Sequence, residues 1–322
     1  MEHVDARWPP LPLASWQATK DTLHRCAQIV GKVRMELVPP ENHWWHVPLY
    51  VGARGLTTGE ILADHAAFEI VLDLVGHRLA VRSSERDEVT FPLEGSSVKR
   101  FYDELLSSLS DLGVKVDILA QPYDLEDPLP FALDERHHTY DPRAAHRFFR
   151  ALLVADHVLK VFRGRFRGKT SPVHLFWHSF DLATARYSGR PGLPPRGNVV
   201  EDEAYNEEVI AFGFWPGDAT FPEPAFYSYT SPEPPALALE ALEPDGAAWL
   251  LRESGSLAVL PYEAVRSRPS PEQAVLDFLE SAYRAGAEKA GWPTGELAYE
   301  PPRTGRRPAR HGPRPGVEAS GY

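Results

Sequence analysis

Two short segments of this 322-residue chain hold side chains able to do chemistry. The first is His43-Trp44-Trp45-His46 and the second is His174-Leu175-Phe176-Trp177. An imidazole donates and accepts hydrogen bonds and titrates near neutral pH, so histidines set among aromatic rings suit acid–base work or ligand binding. We assign His43 and His174 as the polar centre, as general acid/base or ligand contacts. Trp44, Trp45, His46, Phe176 and Trp177 then form the walls. The basic residues Lys32, Arg54, Lys169 and Arg186 flank these segments and favour an anionic ligand, a carboxylate or a phosphate. The competing reading is an aromatic core strand with hydrogen-bonded histidines, and ordinary surface ion pairs for the basic residues.

Metal chemistry has less to rest on. On a strand, His43 and His46 point to opposite faces, whereas in a helical turn they converge. His174 and His178 lie about 13 Å apart if the strand between them is extended. The only cysteine, Cys26, sits in a helical pattern, so neither a disulfide nor a Cys-rich zinc site can form. There is no HxH, HExxH or carboxylate triad, and we assign no metal ligand. A histidine-ligated, metal-dependent enzyme is kept as an alternative, because a twofold axis could bring His43 and His174 together. No cofactor is indicated: a GxGxxG turn, a Walker loop and a GxSxG elbow are all lacking. Asp181, in an otherwise apolar strand, needs a partner, and Arg186 is the obvious one. Asp141 reads as the cap of a helix that Pro142 opens.

Composition narrows the function classes. The formal charge is −11, which repels phosphate backbones and argues against nucleic-acid binding. No apolar run reaches the ~18 residues that span a bilayer, so no membrane role is expected. The start, Met1-Glu2-His3-Val4-Asp5, lacks the basic and apolar stretches of a secretory signal, which points to the cytoplasm. Hydrophobic residues make up 43% of the chain, enough for a substantial core.

Periodicity predicts a helix from Trp16 to Val30 with Gly31 as its stop, and a strand through His43–Val51. A hairpin around Gly76, a strand over Glu88–Leu93, a helix over Val98–Leu112 and a strand over Val114–Ala120 follow. The second half opens with a helix from Pro142 to about Phe166. It continues with strands over Val173–Thr184, Val209–Trp215, Ala225–Tyr229, Ala248–Leu251 and Leu257–Leu260, and ends in a helix from Pro271. Four anchors recur in order in both halves. Gly31-Lys32 matches Gly168-Lys169, and His43–His46 matches His174–Trp177. Thr90–Glu94 matches Val259–Glu263, and a helix opened by Ser96 matches one opened by Ser270. The expected fold is therefore α+β: an internal duplication of an α-β-β-β-β-α unit, mainly antiparallel, helices packed on the sheet, pseudo-twofold symmetric. Residues 1–14 are an N-terminal extension, 15–135 the first repeat and 136–292 the second, packed as one globular unit. Residues 293–322 are a disordered Pro/Arg/Gly-rich tail.

Asn42–Val51, Ser171–Trp177 and Glu223–Tyr227 resemble a bacterial family catalogued only as a domain of unknown function, family 5996. The resemblance runs from about Trp8 to Trp292 and implies no activity, cofactor or catalytic residue. Function is left to the residues themselves. They point to a small-molecule-binding protein, with or without catalysis, whose His/Trp-lined pocket lies between the two halves. The alternative is a non-catalytic interaction module, presenting its tryptophans and the Pro222–Pro235 stretch to a protein partner.

Overall fold

The computed structural model describes residues 7–63 and 66–300. Helix α1 (Gln17–Leu37) opens the first half. Six strands follow: β1 (Tyr50–Val51), β2 (Gly55–Thr57), β3 (Ile61–Leu62), β4 (Ala67–Asp73), β5 (Arg78–Ser83) and β6 (Val89–Pro92). Helix α2 (Val98–Asp111) closes that half, with Ser97 Oγ accepting from the Arg100 N–H as its cap.

The second half begins with α3 (Pro142–Arg163), capped as expected by Asp141, whose carboxylate accepts from the Arg143 N–H at 2.8 Å. Strands β7 (His174–Phe176) and β8 (Asp181–Pro191) come next, then the short helix α4 (Val199–Ala204). They are followed by β9 (Glu207–Trp215), β10 (Ala225–Ser231), β11 (Ala248–Arg252) and β12 (Gly255–Pro261). Helices α5 (Tyr262–Arg266), α6 (Pro271–Lys289) and α7 (Thr294–Leu297) end the described chain.

Among the described residues every strand pairing is antiparallel. The first sheet runs β1-β2-β4-β5-β6, with β3 beside β4, and the second runs β11-β12-β10-β9-β8-β7. The two meet at one antiparallel bridge, where Leu49 and Leu175 exchange N–H···O=C bonds of 2.9 and 2.8 Å. The main core runs beneath both sheets and joins them to α1, α2, α3 and α6. Two smaller clusters, one around Trp215 and Tyr227 and one around Ala185 and Tyr187, lie on the second sheet. The α+β class and the antiparallel sheets thus follow the sequence reading. In each half the order is helix, antiparallel strands, helix.

Several local expectations fail for identifiable reasons. Gly31 does not stop α1. The helix continues six residues past it, because Gly31 is where the Trp177 ring lies against the helix and any Cβ would overlap that ring. The Gly31-Lys32 and Gly168-Lys169 anchors therefore sit in different structures, one inside a helix and one after it. His43–His46 is not a strand but a 3-10 turn, with φ of 60° at His43 and 59° at Trp44. Val173–Thr184 is two strands, broken by a tight turn in which Phe180 has φ of 60°. Val114–Ala120 is irregular, although Val114 and Ile118 are buried.

The described parts of both ends are built into the fold. In the N-terminal stretch Trp8, Leu11 and Leu13 are core residues, and Tyr262 Oη donates to the Pro9 carbonyl at 3.0 Å. Residues 293–300 hold α7 and return to α3's end through Arg167 N–H to Leu297 O, 2.8 Å, and Tyr299 N–H to Arg165 O, 2.9 Å. The rest of the tail expected to be disordered lies outside the described residues.

Candidate functional site

Four of the singled-out residues are structural. Trp177 lies in the β7–β8 turn, against Gly31 of α1, and its Nε1–H donates to the Val47 carbonyl at 3.0 Å. Lys32 sits over that indole, 5.7 Å from the ring centre, and burial pushes its pKa down. Beside it His24 stacks on Phe180 at 5.0 Å and meets the Trp177 and His178 carbonyls at 2.9 and 3.0 Å. Two carbonyls at one nitrogen require the proton on Nε2, and burial lowers this pKa to about 3. Arg54 serves the β4–β5 turn, donating to Asp73 Oδ2 at 2.9 Å. Arg186 points to the inner face, 3.5 Å from the Phe162 ring centre and 4.4 Å from that of Tyr283. There it donates to the Phe162 carbonyl at 2.7 Å and lies 3.6 Å from Glu280.

The turn Asn42–Trp44 brings the remaining candidates to the seam between the sheets. His46 Nδ1 accepts from the Glu41 N–H at 3.1 Å, and Trp44 stacks on His46 at 5.4 Å, so this pair closes the turn. His43 and Trp45 face the other way. His43 Nδ1 lies 3.2 and 3.3 Å from the carbonyls of Glu203 and Ala204, so Nδ1 carries the proton. Nε2 is then an acceptor and takes a hydrogen from Lys169 Nζ at 2.7 Å. Lys169 also pairs with Glu207 and lies 5.0 Å from the Tyr187 ring and 5.6 Å from that of Trp45. Burial and the neighbouring ammonium lower the His43 pKa, which keeps the ring neutral. His43 is thus a base already engaged by a cation, beneath a half-exposed Lys–Glu pair.

Trp45 touches both predicted histidines, with ring centres 5.5 Å from His43 and 6.1 Å from His174. The two imidazoles are therefore brought to one tryptophan rather than to each other. The Leu49–Leu175 bridge places His174 opposite Tyr50, and a twofold axis through it would relate His174 to Pro48, not to His43. His174 is 1% exposed, and neither ring nitrogen has a hydrogen-bond partner. Burial lowers its pKa to about 3, with Arg34 and Arg163 adding to the shift. An unsatisfied buried polar group costs about 1–3 kcal/mol. Against the ring lie Trp45, Tyr50 and Phe176, all half-buried.

Alternation places His174 and Phe176 on the outer face of the second sheet, together with Asp181, Ala183, Ala185 and Tyr187 of β8. Register sets Ala183 between His174 and Gly213, and Ala185 beside Ala211. Four small side chains therefore form a floor: Ala183, Ala185, Ala211 and Gly213. Their neighbours on the inner face, Leu182, Phe212 and Phe214, are 0% exposed, whereas the three alanines keep 6–9%. The rim is His174, Tyr187, Tyr227, Tyr229 and Asp181. Tyr227 leans across Gly213, where a Cβ would overlap its ring, and donates to Asp181 Oδ2. Ser179 Oγ donates to the other carboxylate oxygen. Burial and the Asp181 charge hold Tyr227 well above the ordinary phenol pKa, so it stays a donor. Tyr229 stacks parallel to Tyr227 at 6.3 Å and meets Tyr205 Oη at 3.1 Å.

Asp181 therefore does not pair with Arg186, because five residues along a strand put the two on opposite faces. The floor itself was missed. Its signal is an outward alternation of alanines in Asp181-Leu182-Ala183-Thr184-Ala185 facing Ala211 and Gly213, and small residues advertise no chemistry. More open clefts lie elsewhere: one of about 300 Å³ at the start of α6, lined by Arg7 and Pro269–Gln273, and one of about 40 Å³ lined by Leu193, Pro194, Arg196, Glu201, Asp202 and Tyr205. Neither contains His43 or His174. Among the described residues no group of three His, Cys, Asp or Glu side chains could hold a metal ion. Nor is any helix among them long and apolar enough to cross a membrane.

The chain belongs to the family of unknown function DUF5996, whose model matches residues 8–299. No curated protein and no solved structure matches it.

Proposed function

We propose that this protein binds a small ligand on the outer face of its second sheet, over the alanine and glycine floor, with His174 as the hydrogen-bonding centre. The observation that carries this reading is the fully buried His174 ring with two unpartnered nitrogens against three half-buried aromatics. A neutral imidazole there offers one N–H and one lone pair to a ligand. Arg34 and Arg163 give this end a positive field, and among the described residues neither pairs with a carboxylate. An anionic group on the ligand is favoured accordingly. His43 and Lys169 support the Trp45 and Tyr187 wall from behind.

The interaction-module alternative needs exposed tryptophans. Trp8, Trp16, Trp177, Trp215 and Trp292 are buried, and no tryptophan is among the exposed large hydrophobics. We infer further that the halves are diverged copies, on the shared order of helix, antiparallel strands, helix. A cytoplasmic site of action is inferred from the lone cysteine, which is buried and unpaired.

A thermal-shift screen of small carboxylates and phosphates tests the binding reading. Hits on the native protein should vanish in His174→Phe, which keeps the ring's volume and removes both nitrogens. Hits that keep their affinity in the variant would refute it.

A further inference from the structure

We infer that the ligand of this outer face is zwitterionic, with a cationic nitrogen at Asp181 and an anionic group at His174; the inference rests on the ligand-binding reading above. Asp181 is 7% exposed and faces out of the sheet. Its two hydrogen-bond donors, the hydroxyls of Ser179 and Tyr227, are neutral. Among the described residues no lysine, arginine or histidine is in ion-pair contact with it; His178 feels its charge, but burial lowers the pKa of that imidazole. A carboxylate taken out of water without a countercharge is costly, and a ligand ammonium supplies that charge. Arg186, the cation nearest in sequence, is turned to the inner face and held there by Glu280 and the Phe162 carbonyl.

The other end has the opposite imbalance. His174 lies in the field of Arg34 and Arg163, which donate to the backbone carbonyls of Thr58 and Ser171. His174 pairs with Ala183, and Asp181 is two residues further along β8 on the same face. Such diagonal neighbours are about 7–8 Å apart. An ammonium and a carboxylate on one or two adjoining carbons span that gap with one hydrogen bond of ~2.8 Å at each end. The apolar body of the ligand then lies over Ala183, against Phe176 and Tyr227. Trp215 follows Phe214, the partner of Leu182, and its ring lies 5.4 Å from that of Tyr227, the donor to Asp181; its indole N–H is unpartnered, and so reports on occupancy.

The test uses three probes of one shape on the full chain: L-phenylalanine, phenethylammonium and 3-phenylpropionate. Binding is read from the indole N–H resonance of Trp215, assigned with Trp215→Phe. L-phenylalanine should bind tightest. Asp181→Asn should weaken L-phenylalanine and phenethylammonium by roughly ten- to a hundredfold while leaving 3-phenylpropionate unchanged. His174→Phe should weaken 3-phenylpropionate and L-phenylalanine instead. Should Asp181→Asn fail to fold, the native protein decides alone: phenethylammonium must bind at least about tenfold more tightly than neutral 2-phenylethanol. If 3-phenylpropionate binds through His174 but Asp181→Asn, or the alcohol comparison, shows no preference for the cation, the zwitterion inference falls and the binding reading stands. If no probe shifts the resonance, both fall together.

Discussion

On the inner face of β8, Arg186 is enclosed by Phe162, Phe166, Phe212 and Tyr283, bonded to a carbonyl and set against Glu280. On its outer face, Asp181 has two hydroxyls and no cation, and His174 next door has nothing. The same strand thus carries one charge set against an opposite charge and another with none, although the Arg186 Nε itself has no acceptor. Burial alone does not mark function, since Arg186 is more deeply buried than Asp181. Lack of a partner is what separates them. His24 and His174 repeat the lesson: both are buried and both are pushed down to about 3, but His24 has two carbonyl acceptors and a stacked ring.

If the contrast holds, damage to the matched side should cost most. Arg186→Ala removes the carbonyl bond and the aromatic enclosure, and should destabilise by about 3–5 kcal/mol in urea titration. A loss below about 1 kcal/mol would mean the inner face is no better matched than the outer. Next in size is Gly31→Ala, which drives a methyl into the Trp177 ring at the contact between α1 and the β7–β8 turn. It should cost about 2–3 kcal/mol, and a neutral result would show that this docking is loose.

His174→Phe sharpens the comparison through pH. The His174 pKa is about 3 in the folded protein against 6.5 in the unfolded chain. The unfolded state therefore takes up a proton that the folded state refuses, and stability falls as pH drops from 6.5 towards 3. The slope contributed approaches ~1.4 kcal/mol per pH unit, and His174→Phe should remove it while leaving the equal share of His24 in place. Identical pH profiles for variant and native protein would show that the ring is not held neutral. Smallest of all is Asp181→Asn without ligand, expected to change stability by less than about 1 kcal/mol, since the amide oxygen still accepts one hydroxyl. A large loss would make Asp181 a structural residue like Arg186.

Much of the framework is legible in the sequence. Helix α3 carries its signal locally in Asp141-Pro142, and the β4–β5 hairpin shows around Gly76; for α2 the serine signal reads one position early, at Ser96, whereas Ser97 is the cap. The aromatic histidine segments lie at the seam between the sheets, where Trp45 meets His174. What misled was context acting at a distance. Gly31 reads as a helix stop by type, but it serves a tryptophan 146 residues further along the chain. The left-handed His43 and Trp44 read as a strand by composition, because no local rule assigns positive φ to an aromatic pair.

Taken alone, the amino-acid sequence determined the class of fold, the antiparallel strands, most of the helices and the identity of the histidines and tryptophans at the seam, because periodicity and capping are short-range effects. Which side chain is satisfied, and which is left open, was decided only in three dimensions. Arg186 and Asp181 are five residues apart and look like partners in one dimension. The two-residue period of a strand, and the helices packed on one side of it, give Arg186 a carbonyl, a carboxylate and an aromatic enclosure and leave Asp181 facing outward.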